Sequence, residues 1–187
     1  ESLYELLKNV EKIVNLKRYR ISSIEPNLLS NKILKLLSKS KKALPHFHLP
    51  LQSGSDKILK LMKRRYSRSD YIDTIKIVKK YLPNACIGVD VIVGFPNETE
   101  FDFNRTYDLL LKQDISYLHV FSYSERENTL SQEIYPKVPD SVIALRRNKL
   151  KLLSTDKYKQ FTNSQQDNKF EVLFEKYDNG VLSGWTQ

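Results

Sequence analysis

Residues 87–93 read Ile-Gly-Val-Asp-Val-Ile-Val and stop at Gly94-Phe95-Pro96, and no other stretch limits the possible folds as much. A nearly continuous β-branched run is the mark of a strand covered on both faces, which antiparallel surface sheets rarely contain. Amphipathic segments flank it. Residues 69–82 place Ile72, Ile75, Val78 and Leu82 on one helical face before Pro83, and Thr99 is positioned to cap a helix that runs on to Leu111. The same alternation extends outward. Strands are expected at 19–24, 47–51 and 117–123, with helices at 1–16, from Leu28 to the lysines near Lys41, from the N-cap candidate Ser55, and at 140–166. Strand–helix repetition without hairpin signals specifies a parallel sheet or barrel. The end differs: residues 170–176 and 181–185 flank Asn179-Gly180, a hairpin turn. A boundary is therefore expected near 168, with an α/β unit at 1–167 and the start of a small β-domain at 168–187.

The chain has 187 residues, 40% hydrophobic and 28% charged, which is ordinary globular composition. No apolar run approaches the roughly 18–20 residues of a spanning helix, and the charged first segment is not a secretory signal. One cysteine, Cys86, excludes an internal disulfide framework and fits a reducing, cytoplasmic setting. Both ends read as cut, the first inside a helical pattern and the last inside a strand pattern. A net charge of +9 favours polyanions such as RNA, although lysine used for solubility produces the same excess.

Parallel βα architectures gather their chemistry at the C-terminal ends of the strands. Here those ends read Ser22-Ser23-Ile24-Glu25-Pro26, Gln52-Ser53-Gly54-Ser55-Asp56, Gly94-Phe95-Pro96-Asn97-Glu98-Thr99 and Tyr123-Ser124-Glu125-Arg126. Strand alternation puts His46, His48 and Gln52 on one face and Phe47, Leu49 and Leu51 on the other. His119, Phe121 and Tyr123 likewise oppose Leu118 and Val120, and Arg20 shares a face with Ser22. An interior face so polar and aromatic holds a ligand, whereas a structural barrel fills with branched aliphatics. His46 and His48 have the spacing of metal ligands, but without a further Cys or His cluster interior hydrogen bonding is the expected role. Cys86 reads as a small buried side chain. Lys57, Lys60, Lys63, Arg64 and Arg65 form either a solvated face or an anion clamp. Arg146, Arg147, Lys149 and Lys151 read as ordinary surface, with RNA phosphate contact the minority reading.

The segments HFHLPLQSGSDKILKLMKRRYSRSDY, DVIVGFPNETEFDF and HVFSYSERENT follow one another as in the radical S-adenosylmethionine (SAM) methylthiotransferases, and the resemblance runs from about residue 18 to the end. It implies the last four βα units of a partial (β/α)6 barrel, followed by the first β-hairpin of a TRAM-like RNA-binding β-barrel. The run from Arg20 to Pro26 resembles the branch that modifies threonylcarbamoyladenosine beside the tRNA anticodon. Carried over position by position, the resemblance implies that Gln52, Ser53 and Gly54 lie near the ribose and methionyl parts of SAM. Arg64, in Met-x-Arg-x-Tyr, pairs with the methionyl carboxylate, and Gly94, Phe95 and Pro96 approach adenine. Phe121 and Tyr123 line the same cavity, with Ser23 and Glu25 at the methionyl amine or the substrate.

Departures accompany the match. The family's Cys-x-x-x-Cys-x-x-Cys run, whose thiolates hold the [4Fe–4S] cluster that cleaves SAM, is absent from this chain. Asn97 stands at a usual glycine, and Glu127-Asn128 at a usual proline-glycine. The implied full-length reaction cleaves SAM to a 5′-deoxyadenosyl radical, removes hydrogen from C2 of the modified adenosine and inserts a methylthio group, with the anticodon stem-loop of tRNA as partner. The chain alone is expected to be inactive and, with strand edges uncovered, to self-associate. The alternatives are modification of another tRNA base or a ribosomal protein, another radical SAM enzyme, or an unrelated βα-barrel protein.

Overall fold

A computed structural model describes residues 2–186. Four parallel strands, β1 (Tyr19–Ile21), β2 (Ala43–His48), β3 (Cys86–Val93) and β4 (Tyr117–Ser122), form one sheet in sequential order. The helices are α1 (Leu3–Glu11), α2 (Asn31–Leu37), α3 (Asp56–Leu61), α4 (Arg68–Tyr81), α5 (Glu100–Lys112) and α6 (Asp140–Ser164). The hairpin expected at the end is present as antiparallel β5 (Val172–Asp178) and β6 (Val181–Thr186). The expected architecture, a parallel partial barrel followed by a hairpin, is the one observed.

Local chemistry sets the element boundaries. Ser67 and Asp70 form a reciprocal capping box that starts α4, and Thr99 and Asp102 do the same for α5, each satisfying N–H groups that have no partner inside the helix. Ser55 occupies the N-cap position of α3, but its side chain makes no cap bond. Its hydroxyl donates to Asp102 Oδ1 at 2.6 Å, a charge-assisted bond that ties the start of α3 to α5. The first strand is shorter than expected and ends at Ile21. Beyond it, Ile24 N–H still reaches the His48 carbonyl at 3.1 Å, and Pro26 then opens a 3-10 turn.

One sheet face is sealed. Phe47, Leu49, Leu51, Ile87, Val89, Val91 and Val93 are at most 1% exposed and pack with Leu34, Leu109, Leu110 and Leu150 from the helices. Truncating such a leucine costs about 2–5 kcal/mol. The other face is half-open: Asp90 and Ile92 of β3 are only partly buried. The central run is thus not covered on both faces as its composition suggested; it alternates, with valines toward the helices and Asp90 and Ile92 toward the interior. The two sheet edges also differ. On β4, Ser154 of α6 accepts from Leu118 N–H at 2.8 Å and donates to the Leu118 carbonyl at 3.1 Å, so a helix side chain occupies backbone groups that another strand would use. Along β1, the only strand partner among the described residues is β2.

Candidate functional site

The strand register aligns the C-terminal ends. Gln52 bridges to Val91, and Tyr123 N–H donates to the Val93 carbonyl at 2.8 Å, which brings the turns after β2, β3 and β4 to one rim. Both central turns use left-handed backbone. Gln52 has φ 64 and Gly94 has φ 80, a region that a side chain as long as glutamine adopts rarely and only when its surroundings enforce it. Gln52 is held there by its N–H to the Asp90 carbonyl and its carbonyl to Ile92 N–H, both at 2.9 Å. Gly94 also packs so closely on Ile143 that a Cβ would come within 2.4 Å of it.

Behind each turn lies a buried polar lock. After β2, Ser53 Oγ sits 3.3 Å from Thr106 Oγ1, which also accepts from Gly54 N–H at 2.9 Å, while Arg68 donates to the Gly54 carbonyl at 2.9 Å. Ser53 and Gly54 therefore grip α5; a Cβ on Gly54 would lie 2.6 Å from Thr106 Cα. Of this turn, the backbone and Gln52 are what the rim presents. Asp102 closes the lock. Burial alone would push its carboxyl up, but hydrogen bonds from Ser55, Thr99 and Lys57 prevail and pull it down to about 2.

After β3, Glu98 Oε2 accepts from Gly94 N–H at 2.8 Å and from Arg146 Nη1 at 2.8 Å. Both side chains are essentially buried, and Arg146 reaches Glu100 as well. Burial pushes the Glu98 carboxyl up against the pull of the Gly94 N–H and the Arg146 guanidinium. Arg146 is consequently not the surface residue its sequence position suggested: it crosses from α6 to fix the turn, and its neighbours Glu98 and Glu100 are the reason. Asn97 takes the left-handed conformation (φ 67) open to the glycine it replaces, and it adds anchors, donating from Nδ2 to the Tyr135 carbonyl at 2.7 Å and from N–H to Pro136 at 2.8 Å.

The rim side chains are more exposed. Phe95 is buried edge-on to Tyr123, with ring centroids 5.2 Å apart, and Pro96 is buried beside it. Phe121 is 52% exposed on the interior face, and Ser23 is exposed. Arg64 Nη1 lies 3.3 Å from Glu25 Oε1, so a carboxylate of this chain already pairs with the guanidinium expected to meet the methionyl carboxylate. Two polar atoms here are buried without a partner, Tyr123 Oη and Arg64 Nε. Buried groups of this kind are nearly always satisfied. A polar ligand with a flat ring, such as SAM, fits a rim that offers an unpartnered hydroxyl, a guanidinium and two aromatic rings.

Below the rim, the interior face carries a polar row that strand alternation made visible only in part. His48 Nε2 is 2.7 Å from Asp90 Oδ1, and His46 Nε2 is 3.0 Å from Tyr117 Oη. His119 stacks on His48 at 5.3 Å and meets Tyr117 edge-on. Tyr117 lies over Gly88, where a Cβ would come within 2.3 Å of the ring. Burial, with Arg20 and His48 nearby, lowers the His46 imidazole to about 4. His46 and His48 hydrogen-bond within the row, and among the described residues no group of three or more His, Cys, Asp or Glu could hold a metal ion. Asp90, the residue missed, sits on the polar face of the β-branched run, and two-residue alternation could have found it. Cys86 is half-buried, and burial raises its thiol.

Comparison with known proteins places this rim in context. The Radical SAM superfamily model matches residues 1–110. A threonylcarbamoyladenosine tRNA methylthiotransferase of Aquifex aeolicus is 39% identical over 172 residues, 92% of this chain and 42% of that protein. The tRNA-2-methylthio-N(6)-dimethylallyladenosine synthase of Clostridium tetani is 37% identical over 99% of this chain and 42% of its own length. The chain thus spans well under half of these relatives. Among solved structures, the radical SAM coproporphyrinogen III oxidase of Escherichia coli superposes with a TM-score of 0.60 at 13% identity, covering 90% of this chain and 38% of that one. A radical SAM methyltransferase of Kitasatospora setae, with cobalamin and a [4Fe–4S] cluster bound, gives 0.54 at 14% identity over 64% and 24%.

Proposed function

The chain belongs to the radical SAM superfamily, and from that premise we propose that it forms one wall of the SAM cavity in a cytoplasmic tRNA methylthiotransferase acting at C2 of threonylcarbamoyladenosine beside the anticodon. The observation that carries the reading is the rim itself: two locked left-handed turns at aligned strand ends, beside two buried polar atoms without a partner, Tyr123 Oη and Arg64 Nε. Gln52 and Arg64 would hold the ribose and methionyl part, with Ser53 and Gly54 shaping their turn. Gly94, Phe95 and Pro96 would take adenine, with Phe121 and Tyr123 enclosing it. Glu25 and Ser23 would face the methionyl amine or the substrate, and Glu25 would keep the Arg64 guanidinium aligned. When bound, SAM and its [4Fe–4S] cluster supply radical chemistry at an unactivated C–H bond. The one cysteine here does not provide the three thiolates of that cluster, so the wall is proposed to be inactive by itself.

The threonylcarbamoyladenosine assignment is supported by the relatives from Aquifex aeolicus and Bacillus subtilis, the latter 36% identical over 88% of the chain. The similarity to the Clostridium protein favours a second reading, modification of dimethylallyladenosine. Nucleoside mass spectrometry of tRNA from cells with the gene deleted separates them. Loss of 2-methylthio-threonylcarbamoyladenosine is expected; loss of the dimethylallyl derivative instead supports the second reading, and loss of neither refutes both.

Residues 168–187 are proposed to begin an RNA-binding β-domain. Leu173, Phe174, Tyr177, Val181, Leu182 and Trp185 are all exposed, and a two-stranded hairpin is at best marginal without further strands over its apolar side chains. Self-association of the chain through the uncovered edge of β1 follows from the contrast with β4. Sedimentation at rising concentration should reveal a dimer, and a monomer throughout would remove this part of the proposal.

A further inference from the structure

A cleft of about 680 Å³ opens beside the SAM rim, between α3 and the loop that follows β4. Lys57, Lys60 and Lys63 wall it, Leu61, Leu130 and Ile134 form its apolar floor, and Asn97 stands at the end nearest the Gly94 turn. Among the described residues no carboxylate lines it. Lys57 is engaged, donating to the Asn97 carbonyl at 2.7 Å and to Asp102 at 3.0 Å. Lys60 and Lys63 are exposed and have no partner among the described residues. Leu130, 70% exposed, offers a broad apolar surface opposite them.

Lys63 is out of place by conformation. It follows the C-cap residue Met62 with φ 56, its N–H donating to the Lys60 carbonyl and the Arg64 N–H to the Leu59 carbonyl. Glycine fits this left-handed position without strain, whereas a side chain there is disfavoured. A lysine that destabilises its own helix end, aimed into a cleft with no counter-charge, is more readily explained by a ligand than by folding.

We infer that this cleft is the track along which single-stranded RNA enters the SAM rim, with Lys60 and Lys63 on phosphates and the Leu61–Leu130–Ile134 floor under a base. The chemistry favours this occupant. Free ammonium groups beside an apolar floor match a polymer that alternates phosphates with flat rings. An acidic peptide would satisfy the lysines and leave the floor uncovered. The inference rests on the reading above that RNA is the substrate.

The test uses the full-length protein and a fluorescein-labelled single-stranded RNA, with anisotropy followed across a salt series. Wild type is compared with Lys60→Gln/Lys63→Gly and with a control, Lys35→Gln/Lys39→Gln, that removes equal charge from α2 and the turn after it. The first pair should raise Kd by roughly tenfold and reduce the salt slope by about 1.4, since each single-strand phosphate contact contributes about 0.7. Lys63→Gly alone should leave the thermal midpoint unchanged or higher, so lost binding cannot be blamed on misfolding. The control should change affinity far less. Equal losses in both pairs, or no loss in the first, would overturn the track. So would poly-glutamate competing as well as RNA of equal charge. If the first pair binds RNA normally while deletion of the gene removes the 2-methylthio nucleoside, the track fails and the proposed function stands. If wild type binds no RNA and deletion leaves those nucleosides intact, the proposed function fails as well.

Discussion

The turns after β2 and β3 and the ends of β1 and β4 share one rim, yet they are built in opposite ways. The two central turns are locked from behind: Thr106, Asp102 and Arg68 fix residues 52–55, and Glu98 with Arg146 fixes residues 94–96. What they present forward is mainly backbone. The outer strand ends present side chains with little behind them, exposed Ser23 and Phe121 and the partly exposed Glu25, which pairs with Arg64 from the segment after α3. The central turns thus carry stability as well as shaping the rim, whereas the outer ends add little to stability, and ligand contact is the part proposed for them. Groups on the outer ends can therefore be removed without harm to the fold.

The largest expected effect is at Arg146. Arg146→Met leaves the Glu98 carboxylate buried without its cation and should lower stability by about 3–5 kcal/mol, read as a shifted denaturant midpoint, with the double exchange Glu98→Gln/Arg146→Met recovering part of the loss. Gly54→Ala drives a Cβ to 2.6 Å from Thr106 Cα and should cost about 1–3 kcal/mol. A smaller effect is expected with acid. His46 titrates at about 4 in the fold against 6.5 for a free imidazole, so the unfolded chain binds the proton first. Its contribution to stability is complete above pH 6.5 and is lost as pH falls toward 4. Asp102, at about 2 against 3.8, adds a further loss below pH 4. Thermal midpoints measured from pH 7 to 4 should fall, and His46→Gln should flatten the upper part of that curve. Smallest of all, Phe121→Ala should change stability by under about 0.5 kcal/mol. SAM affinity, read by calorimetric titration, should fall nonetheless, and an unchanged affinity would remove Phe121 from the proposed cavity.

How much of this was legible in the sequence depended on the range of the interaction. Alternation in β2 separated His46 and His48 from Phe47, Leu49 and Leu51, and Thr99 announced α5, because periodicity and capping are local. Gln52 and Gly94 could be placed at strand ends, and glycine is the residue that marks a left-handed turn, but the left-handed backbone of Gln52 could not be read, since glutamine carries no signal for it. Arg146 was misread because its partner Glu98 lies 48 residues away; a lysine- and arginine-rich helix looks the same whether one member points inward or none does. Ser55 does stand at the N-cap of α3, but its hydroxyl bond to Asp102 was not legible for a related reason, as Asp102 belongs to another helix. Asp90 hid within a β-branched run whose composition suggested two covered faces.

The central claim is that SAM lies against these particular strand ends. Backbone amide shifts of the isotope-labelled chain, followed while SAM is titrated to millimolar concentration, test it most directly. Progressive shifts are expected at Gln52, Ser53, Gly94, Phe95, Phe121 and Tyr123, weakened by Phe121→Ala. Shifts confined to the His46–Asp90 row or to the hairpin, or none at any concentration, would contradict it.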